Sequence, residues 1–355
     1  MSRFLLPRLN ELEAYTPGEQ PRDARGWVKL NTNENPYPPS RGVMAAINAD
    51  EVERLRLYSD PAASDLCGAM SEYFSLDRSQ VFAGNGSDEV LAFCFMALCP
   101  NGAAFPDLSY GFYPVYAELF GVAADIVPLR SDWSISVDDY ADKRGTVIIA
   151  NPNAPTGLCL PLSEIERLLS ANRDRLVIVD EAYCAFGGTS CVPLLKKYDN
   201  LLIVGTFSKS FCLAGARLGY ALSSPEIIAD INKIKFSFNP YNLNRLTLLA
   251  GTAALRDADY YRDCSARIAA TRERASEALR SLGFKTTESR ANFIFAQCPR
   301  GLGGGEYYLA LKERGILVRH WDTPRIIDCV RITVGTDGQM DALLGATKEI
   351  LEAKA

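Results

Sequence analysis

Histidine is nearly missing from this chain: among 355 residues there is one, His320. A Ser-His-Asp or Cys-His catalytic set would have to be built on that single imidazole. A zinc centre is disfavoured for the same reason. None of the ten cysteines stands in a Cys-x-x-Cys pair, and most fall inside apolar runs such as LAFCFMALC. They read as free buried thiols of a reducing cytosol. There is no basic surplus. The net charge is -5 and the pI is about 5.2, the wrong sign for a nucleic-acid binder. No apolar run approaches the length of a membrane span, and the apolar stretch of MSRFLLPRLNELEAY is too short for a signal peptide. Low complexity and internal repeats are absent. A cytoplasmic protein without a metal, working on small molecules, is the expectation.

What the chain does have is length, apolar content and alternation. At 355 residues it exceeds one ordinary compact domain, and 48% hydrophobic against 23% charged residues suits a globular enzyme. Residues 1–40 are irregular and rich in Pro, Asn and Gly, as in YTPGEQP and LNTNENPYPPS; they predict an extended arm that joins the smaller domain or a dimer partner. Residues 41–250 predict a large domain in which strands such as TVIIA, LVIV and LLIV alternate with amphipathic helices. Runs apolar on both faces belong to strands covered on both sides, and strand–helix alternation implies a mainly parallel sheet. Ser163 is the expected N-cap of the helix LSEIERLLSANR. Residues 241–281 predict one long helical stretch, leading into a smaller α+β domain over 251–355.

In open α/β sheets, ligands bind beyond the carboxyl ends of the strands. The residues that follow the predicted strands are GNGSD (84–88), NPNAPTG (151–157), DEAY (180–183) and TFSK (206–209), with Arg217 shortly after. The set offers a glycine turn at a helix start, where free N–H groups favour an anion. It also offers a carboxylate, a phenol, hydroxyls, a lysine and an arginine. Singly each has a bland explanation: Asp180 as a cap, Tyr183 as a packed aromatic, Lys209 as a solvated lysine, Arg217 as half of a surface ion pair.

Together, in this order, NPNAPTG, VDEAY and FSKSFCLAGARLGY resemble the fold-type-I pyridoxal-phosphate aminotransferases, and among them the histidinol-phosphate aminotransferase family. The likeness runs from YTPGEQP to RITVGT. It implies pyridoxal 5'-phosphate as cofactor, with Lys209 as its covalent attachment point and proton carrier. Asp180 would keep the pyridine nitrogen protonated, Tyr183 would bond the phenolate oxygen, and Tyr110 would stack on the ring. The phosphate would be held by Ser87, Asp88, Thr206, Ser208 and Arg217, whose fork suits two phosphate oxygens. Tyr58 would reach the phosphate of the neighbouring subunit, making the active unit a homodimer. One departure stands out. The family has Asn immediately before Pro-Thr-Gly, and here that residue is Ala154. Asn153 is the candidate substitute, although adjacent side chains on a strand point to opposite faces.

For the substrate, the resemblance assigns Arg331 to the phosphate of histidinol phosphate and to the carboxylate of glutamate in the other half-reaction. Arg319 and Tyr15 fall where further phosphate contacts are expected, and Asn33 lines the pocket. His320 is expected to be structural. The function implied is transfer of an amino group between histidinol phosphate and 2-oxoglutarate. Alternatives on the same scaffold are a threonine-phosphate decarboxylase and an aromatic amino acid aminotransferase. A cofactor-binding regulator is disfavoured, since there is no room for a DNA-reading domain ahead of residue 40.

Overall fold

A computed structural model describes residues 3–21 and 26–354. The arm contributes β1 (Val28–Lys29) to a small unit described below. The larger sheet is built from β2 (Val81–Gly84), β3 (Ala103–Pro106), β4 (Ala124–Val127), β5 (Thr146–Ala150), β6 (Val177–Asp180), β7 (Leu201–Thr206) and β8 (Gly219–Leu222). Their spatial order is β2-β8-β7-β6-β5-β3-β4. The run from β4 to β7 is parallel, and β8 is antiparallel to both of its neighbours. The fold is thus α/β with a mostly parallel central sheet.

The doubly apolar runs find their partners on both faces. Val177 and Val179 of β6 enter one core, while Ile178 enters the other. On β7, Leu201 and Ile203 face the first core, and Leu202 and Val204 the second. This is the two-residue alternation of a strand, with each face worth roughly 1.5–3 kcal/mol per large side chain removed from water. Register aligns Ala150 with Asp180 and Asp180 with Val204. The three strands therefore end along one edge, and the polar residues that follow them are delivered to the same place.

The smaller sheet holds β9 (Lys285–Thr286), β10 (Phe293–Gln297), β12 (Arg319–His320) and β13 (Cys329–Thr333), antiparallel in the order β12-β13-β10-β9. Between β10 and β12 lies β11 (Ile316–Leu317), which pairs in parallel with β1 of the arm. Leu30 sews the arm in further. Its N–H donates to the Leu317 carbonyl at 2.7 Å, its carbonyl accepts from Thr333 N at 2.9 Å, and its side chain is buried in the core of the smaller unit.

Two local expectations are corrected. The stretch 241–281 is two helices, Arg245–Arg256 and Ala258–Ser281, separated at Asp257, whose carboxylate accepts from Gly42 N at 3.1 Å. The helix Leu162–Ala171 starts one residue before Ser163; Pro161 is its N-cap and makes no side-chain cap bond. Proline's fixed φ sets the entry there without a hydroxyl. The final helix, Asp337–Glu352, begins with a reciprocal cap between Thr336 and Gln339.

The fully buried Ile178 tests the two-faced packing of the central strands. Ile178→Ala is expected to lower the unfolding free energy by about 2–5 kcal/mol, read as a fall in the thermal midpoint. A shift no larger than that of the exposed control Leu309→Ala would contradict this packing.

Candidate active site

The carboxyl edge of the larger sheet opens into a cavity of about 340 Å³, walled by Ser87, Asp88, Tyr110, Asp180, Lys209 and Arg217 among others. One wall is the start of the helix Gly86–Ala97. Gly86 sits at φ +77°, and a Cβ on it would lie 2.7 Å from Nη2 of Arg217. A Cβ on Gly219 would lie 2.3 Å from Ser87 N. Both positions need glycine so that a helix terminus and a guanidinium can approach each other. Asn85, the N-cap, makes no side-chain cap bond, which leaves the first N–H groups of the helix for an anion. Glu89 reaches back to accept from Asn85 N at 2.6 Å and from the Asn242 amide, fixing the turn.

Arg217 pairs with Oδ2 of Asp88 at 2.7 Å, and the Tyr110 hydroxyl donates to Oδ1 of the same carboxylate at 2.6 Å. Asp88 thus ties an arginine to an aromatic ring. Thr206 and Ser208 are buried on the cavity wall, with Ser208 N donating to Thr206 Oγ1 at 3.1 Å.

Lys209 follows β7. Its Nζ donates to the Thr32 carbonyl at 3.2 Å, and among the described residues it forms no ion pair. Burial pushes its pKa down to about 8, the nearby Arg331 charge adding to the effect while Glu34 and Asp88 oppose it. An amine in that range is partly neutral near physiological pH and is a competent nucleophile. Asn35 holds the lysine's backbone, its amide donating to Lys209 O at 2.9 Å.

Asp180 is buried at the end of β6. Its Oδ2 accepts from the Tyr113 hydroxyl at 3.0 Å and its Oδ1 from Ala182 N at 3.1 Å. Burial raises the carboxyl to about 6, while the two hydrogen bonds pull it back down. The group is therefore mainly an anion at neutral pH, and among the described residues it has no cationic partner.

A second cavity, of about 410 Å³, shares Thr32, Tyr110, Ala154, Tyr183 and Lys209 with the first. The two form one cleft with the lysine amine at their junction. Arg331 on β13 and Arg319 on β12 are register partners on the far wall. Arg331 donates through Nη2 to Asn31 O at 2.9 Å, and its buried Nε has no partner; burial lowers its pKa. Tyr15 stacks on Phe112 with centroids 4.2 Å apart and lines the same cavity. Asn33 sits at φ +55° and donates from Nδ2 to the Tyr183 hydroxyl at 2.9 Å. It is held there by Thr333, which accepts from Asn33 N at 2.9 Å, and by Asn292, which donates to Asn33 O at 3.0 Å.

The structure brings Ser87, Asp88, Tyr110, Asp180, Tyr183, Thr206, Ser208, Lys209, Arg217, Tyr15, Asn33, Arg319 and Arg331 to one cleft. Two expected residues lie elsewhere. Asn153 does not face the cleft. Its amide donates to Leu108 O at 3.0 Å and Thr156 Oγ1 at 3.1 Å, and its carbonyl oxygen accepts from Ser109 Oγ at 2.8 Å. Those bonds consume it within the turn, and the Ala154 methyl lines the cavity instead. Tyr58 is on the outer surface, 82% exposed and stacked on Tyr241 at 4.5 Å. Sequence reasoning missed Tyr113, the partner of Asp180. Its signal was present in SYGFY, where only the first tyrosine was taken up. Asn35 and Glu89 were missed as well, because one bonds a backbone carbonyl and the other a side-chain amide that lie far away in the chain. His320, stacked on Tyr308 and bonded to Ile327 O at 2.8 Å, is packed away from the lysine.

Comparison with known proteins gives a consistent picture. The family profile described as aminotransferase class I and II matches residues 25–346. A histidinol-phosphate aminotransferase of Clostridium acetobutylicum is 45% identical over 99% of this chain and 100% of its own length. Histidinol-phosphate aminotransferase 2 of Dechloromonas aromatica is 48% identical over 99% of each. In fold, the chain is similar to the crystal structure of histidinol-phosphate aminotransferase from Sinorhizobium meliloti in complex with pyridoxal-5'-phosphate. The TM-score is 0.87 at 23% identity, covering 100% of this chain and 99% of that one.

The Tyr113–Asp180 bond yields a test that needs no ligand. Tyr113 donates to the charged form of the carboxyl and so lowers its pKa. Tyr113→Phe is expected to raise the pH at which Asp180 ionises by about one unit, the size of one charge-assisted bond. Infrared titration of the carboxyl band, with Asp180→Asn as blank, reads the shift; an unchanged midpoint would remove Tyr113 from this role.

Proposed function

This chain belongs to the aminotransferase class I and II family, and on that premise we propose that it moves an amino group between L-histidinol phosphate and 2-oxoglutarate, in histidine biosynthesis, with pyridoxal 5'-phosphate as cofactor. The observation that carries the reading is the far wall of the cleft. Arg331 and Arg319 stand side by side with no carboxylate partner among the described residues, opening on the cavity that Lys209 enters. A small substrate with an anionic end and an amine fits that layout, and the near full-length relatives named above carry the corresponding name.

The first cavity fits the cofactor on its own chemistry. An amine pushed down to about 8 lines it, and so does a buried carboxylate with no cation beside it among the described residues. On its wall too are a helix start and a guanidinium that only glycines allow together. When bound, the cofactor supplies an electron sink for charge developing at the substrate Cα. Lys209 would be the attachment point, and its free Nζ would take the proton from the substrate Cα. Asp180, oriented by Tyr113, would keep the pyridine nitrogen protonated. Tyr183, held by Asn33, would bond the phenolate oxygen, and Tyr110 would support the ring. Ser87 and Asp88 N–H, Thr206, Ser208 and Arg217 would hold the phosphate. Arg331 and Arg319, with Tyr15 and Asn33 beside them, take the phosphate of the amine substrate, and Arg331 takes the glutamate carboxylate in the other half-reaction.

In the missing-asparagine position, Ala154 gives no donor, and Asn33 is the residue we assign to restrain Tyr183 in its place. We also read the active unit as a homodimer. The exposed Tyr58–Tyr241 stack lies among the exposed apolar residues Val52, Leu55 and Leu57, a surface suited to a second copy that would receive Tyr58 at its phosphate end. Ten cysteines without paired spacing suit the reducing cytoplasm. Among the described residues no helix is long and apolar enough to cross a membrane.

Two outcomes are expected. Purified protein supplied with histidinol phosphate and 2-oxoglutarate forms glutamate, measured in a coupled assay; no glutamate would sink the proposed reaction. Uptake of pyridoxal phosphate by apoprotein, followed by absorbance, accelerates as pH rises and levels off above about 8, where Lys209 is neutral. Lys209→Ala abolishes the covalent signal, and a rate still climbing at the pH of a solvated lysine would contradict the lowered pKa.

A further inference from the structure

Arg319 and Arg331 are neighbours across the β12–β13 ladder. Like charges placed directly opposite each other on a sheet repel, and among the described residues neither arginine has an acidic partner. Each makes a hydrogen bond to an arm carbonyl: Arg319 to Thr16 O at 3.3 Å, Arg331 to Asn31 O at 2.9 Å. What they share is Trp321. The Arg319 guanidinium carbon is 5.5 Å and that of Arg331 5.4 Å from the centroid of the indole ring. Phe293 stands 5.4 Å from Arg331 as a further aromatic support. Trp321 is itself seated in a small apolar cluster with Leu108, Phe295 and Ile326, and it lines the second cavity.

An aromatic face attracts a cation through its quadrupole without cancelling the charge. A carboxylate in the same place would neutralise one arginine and occupy its donors. We propose that Trp321 is a specificity-determining positioning residue: it holds the two guanidiniums together as an unneutralised pair, and so favours a doubly charged phosphate ester over a singly charged carboxylate at this end of the cleft. The proposal rests on the reading that a phosphorylated amine and glutamate alternate in one site. A carboxylate needs one planar fork, whereas a phosphate dianion engages two. Loosening the pair therefore harms the phosphate substrate more.

The test uses holoenzyme and three proteins: the parent, Trp321→Leu and Trp321→Phe. Trp321→Leu is expected to raise KM for histidinol phosphate by about tenfold, the loss of two cation–π contacts, with a clearly smaller rise for glutamate. Trp321→Phe keeps a π face and recovers most of the loss. Inorganic phosphate, the probe in a second measurement, perturbs tryptophan emission in the parent and not in Trp321→Phe, where Trp27 and Trp133 still report. Equal rises in both KM values, a phenylalanine variant as impaired as the leucine one, or an unchanged phosphate signal in Trp321→Phe would each overturn the proposal. Failure of the function reading looks different: no amino transfer from histidinol phosphate in the parent, with the phosphate-dependent emission change and its loss in Trp321→Phe intact.

Discussion

A lysine ammonium taken out of water without a carboxylate is strongly disfavoured, and the rest of the cleft is arranged around that fact. Lys209 Nζ has a backbone carbonyl for company and a half-buried arginine in its neighbourhood. Both circumstances favour the neutral amine. The acids nearby do not reverse the balance: Glu34 is engaged with Lys29, and Asp88 is engaged with Arg217 and Tyr110. The neutral amine is thus favoured by position, before any ligand arrives.

The other charges obey the same economy of partners. Among the described residues, Asp180 is an anion with hydrogen-bond donors and no cation, and Arg331 is a cation with a carbonyl, π faces and no anion. Breaking a buried ion pair leaves an uncompensated charge, and here two such charges are left open in the two adjoining cavities that share Lys209. Each is tolerable only because neutral groups hold it: Tyr113 and Ala182 N for Asp180, Asn31 O, Phe293 and Trp321 for Arg331. An uncompensated group held rigidly is what a binding site requires, since the ligand then completes the pairing.

The parts of this arrangement that sequence made legible are those encoded by contiguous residues. Doubly apolar strands gave the parallel sheet, and the residues directly after them gave Asp180, Tyr183 and Lys209, because strand ends deliver their successors to one edge. GNGSD was legible as a turn opening a helix because glycine and a helix start are local signals. The rest depends on contacts between distant segments. Tyr113 meets Asp180 across 67 positions and Asn33 meets Tyr183 across 150; neither distance leaves a local trace. Asn153 shows the limit from the other side. Its type suggested a donor to the cleft, but a buried amide goes where most of its hydrogen bonds are satisfied, and Leu108, Ser109 and Thr156 satisfied them inside the turn. The single long helix expected over 241–281 failed for a related reason. Apolar periodicity continues through Asp257, while the break there is set by a contact to Gly42, far away in the chain.

The arm explains how the two open charges come to share one lysine. It has little regular structure, yet residues 30–35 reach the smaller sheet, Tyr183 and Lys209. Leu30 is hydrogen-bonded between β11 and β13, Asn31 accepts from Arg331, Thr32 accepts from Lys209, Asn33 restrains Tyr183, and Asn35 grips the lysine backbone. The larger sheet alone would present Lys209 and Asp180 at an open edge, and the smaller sheet alone would present two repelling arginines. The segment LNTNEN offers both backbone carbonyls and side-chain amides, so one short stretch serves both sheets at once. Its left-handed residue, Asn33, is where the chain must turn from one to the other, and asparagine is among the few side chains that accept that conformation at modest cost. Shape, charge and nucleophile therefore converge on six residues that a reading for regular secondary structure passes over as a loop.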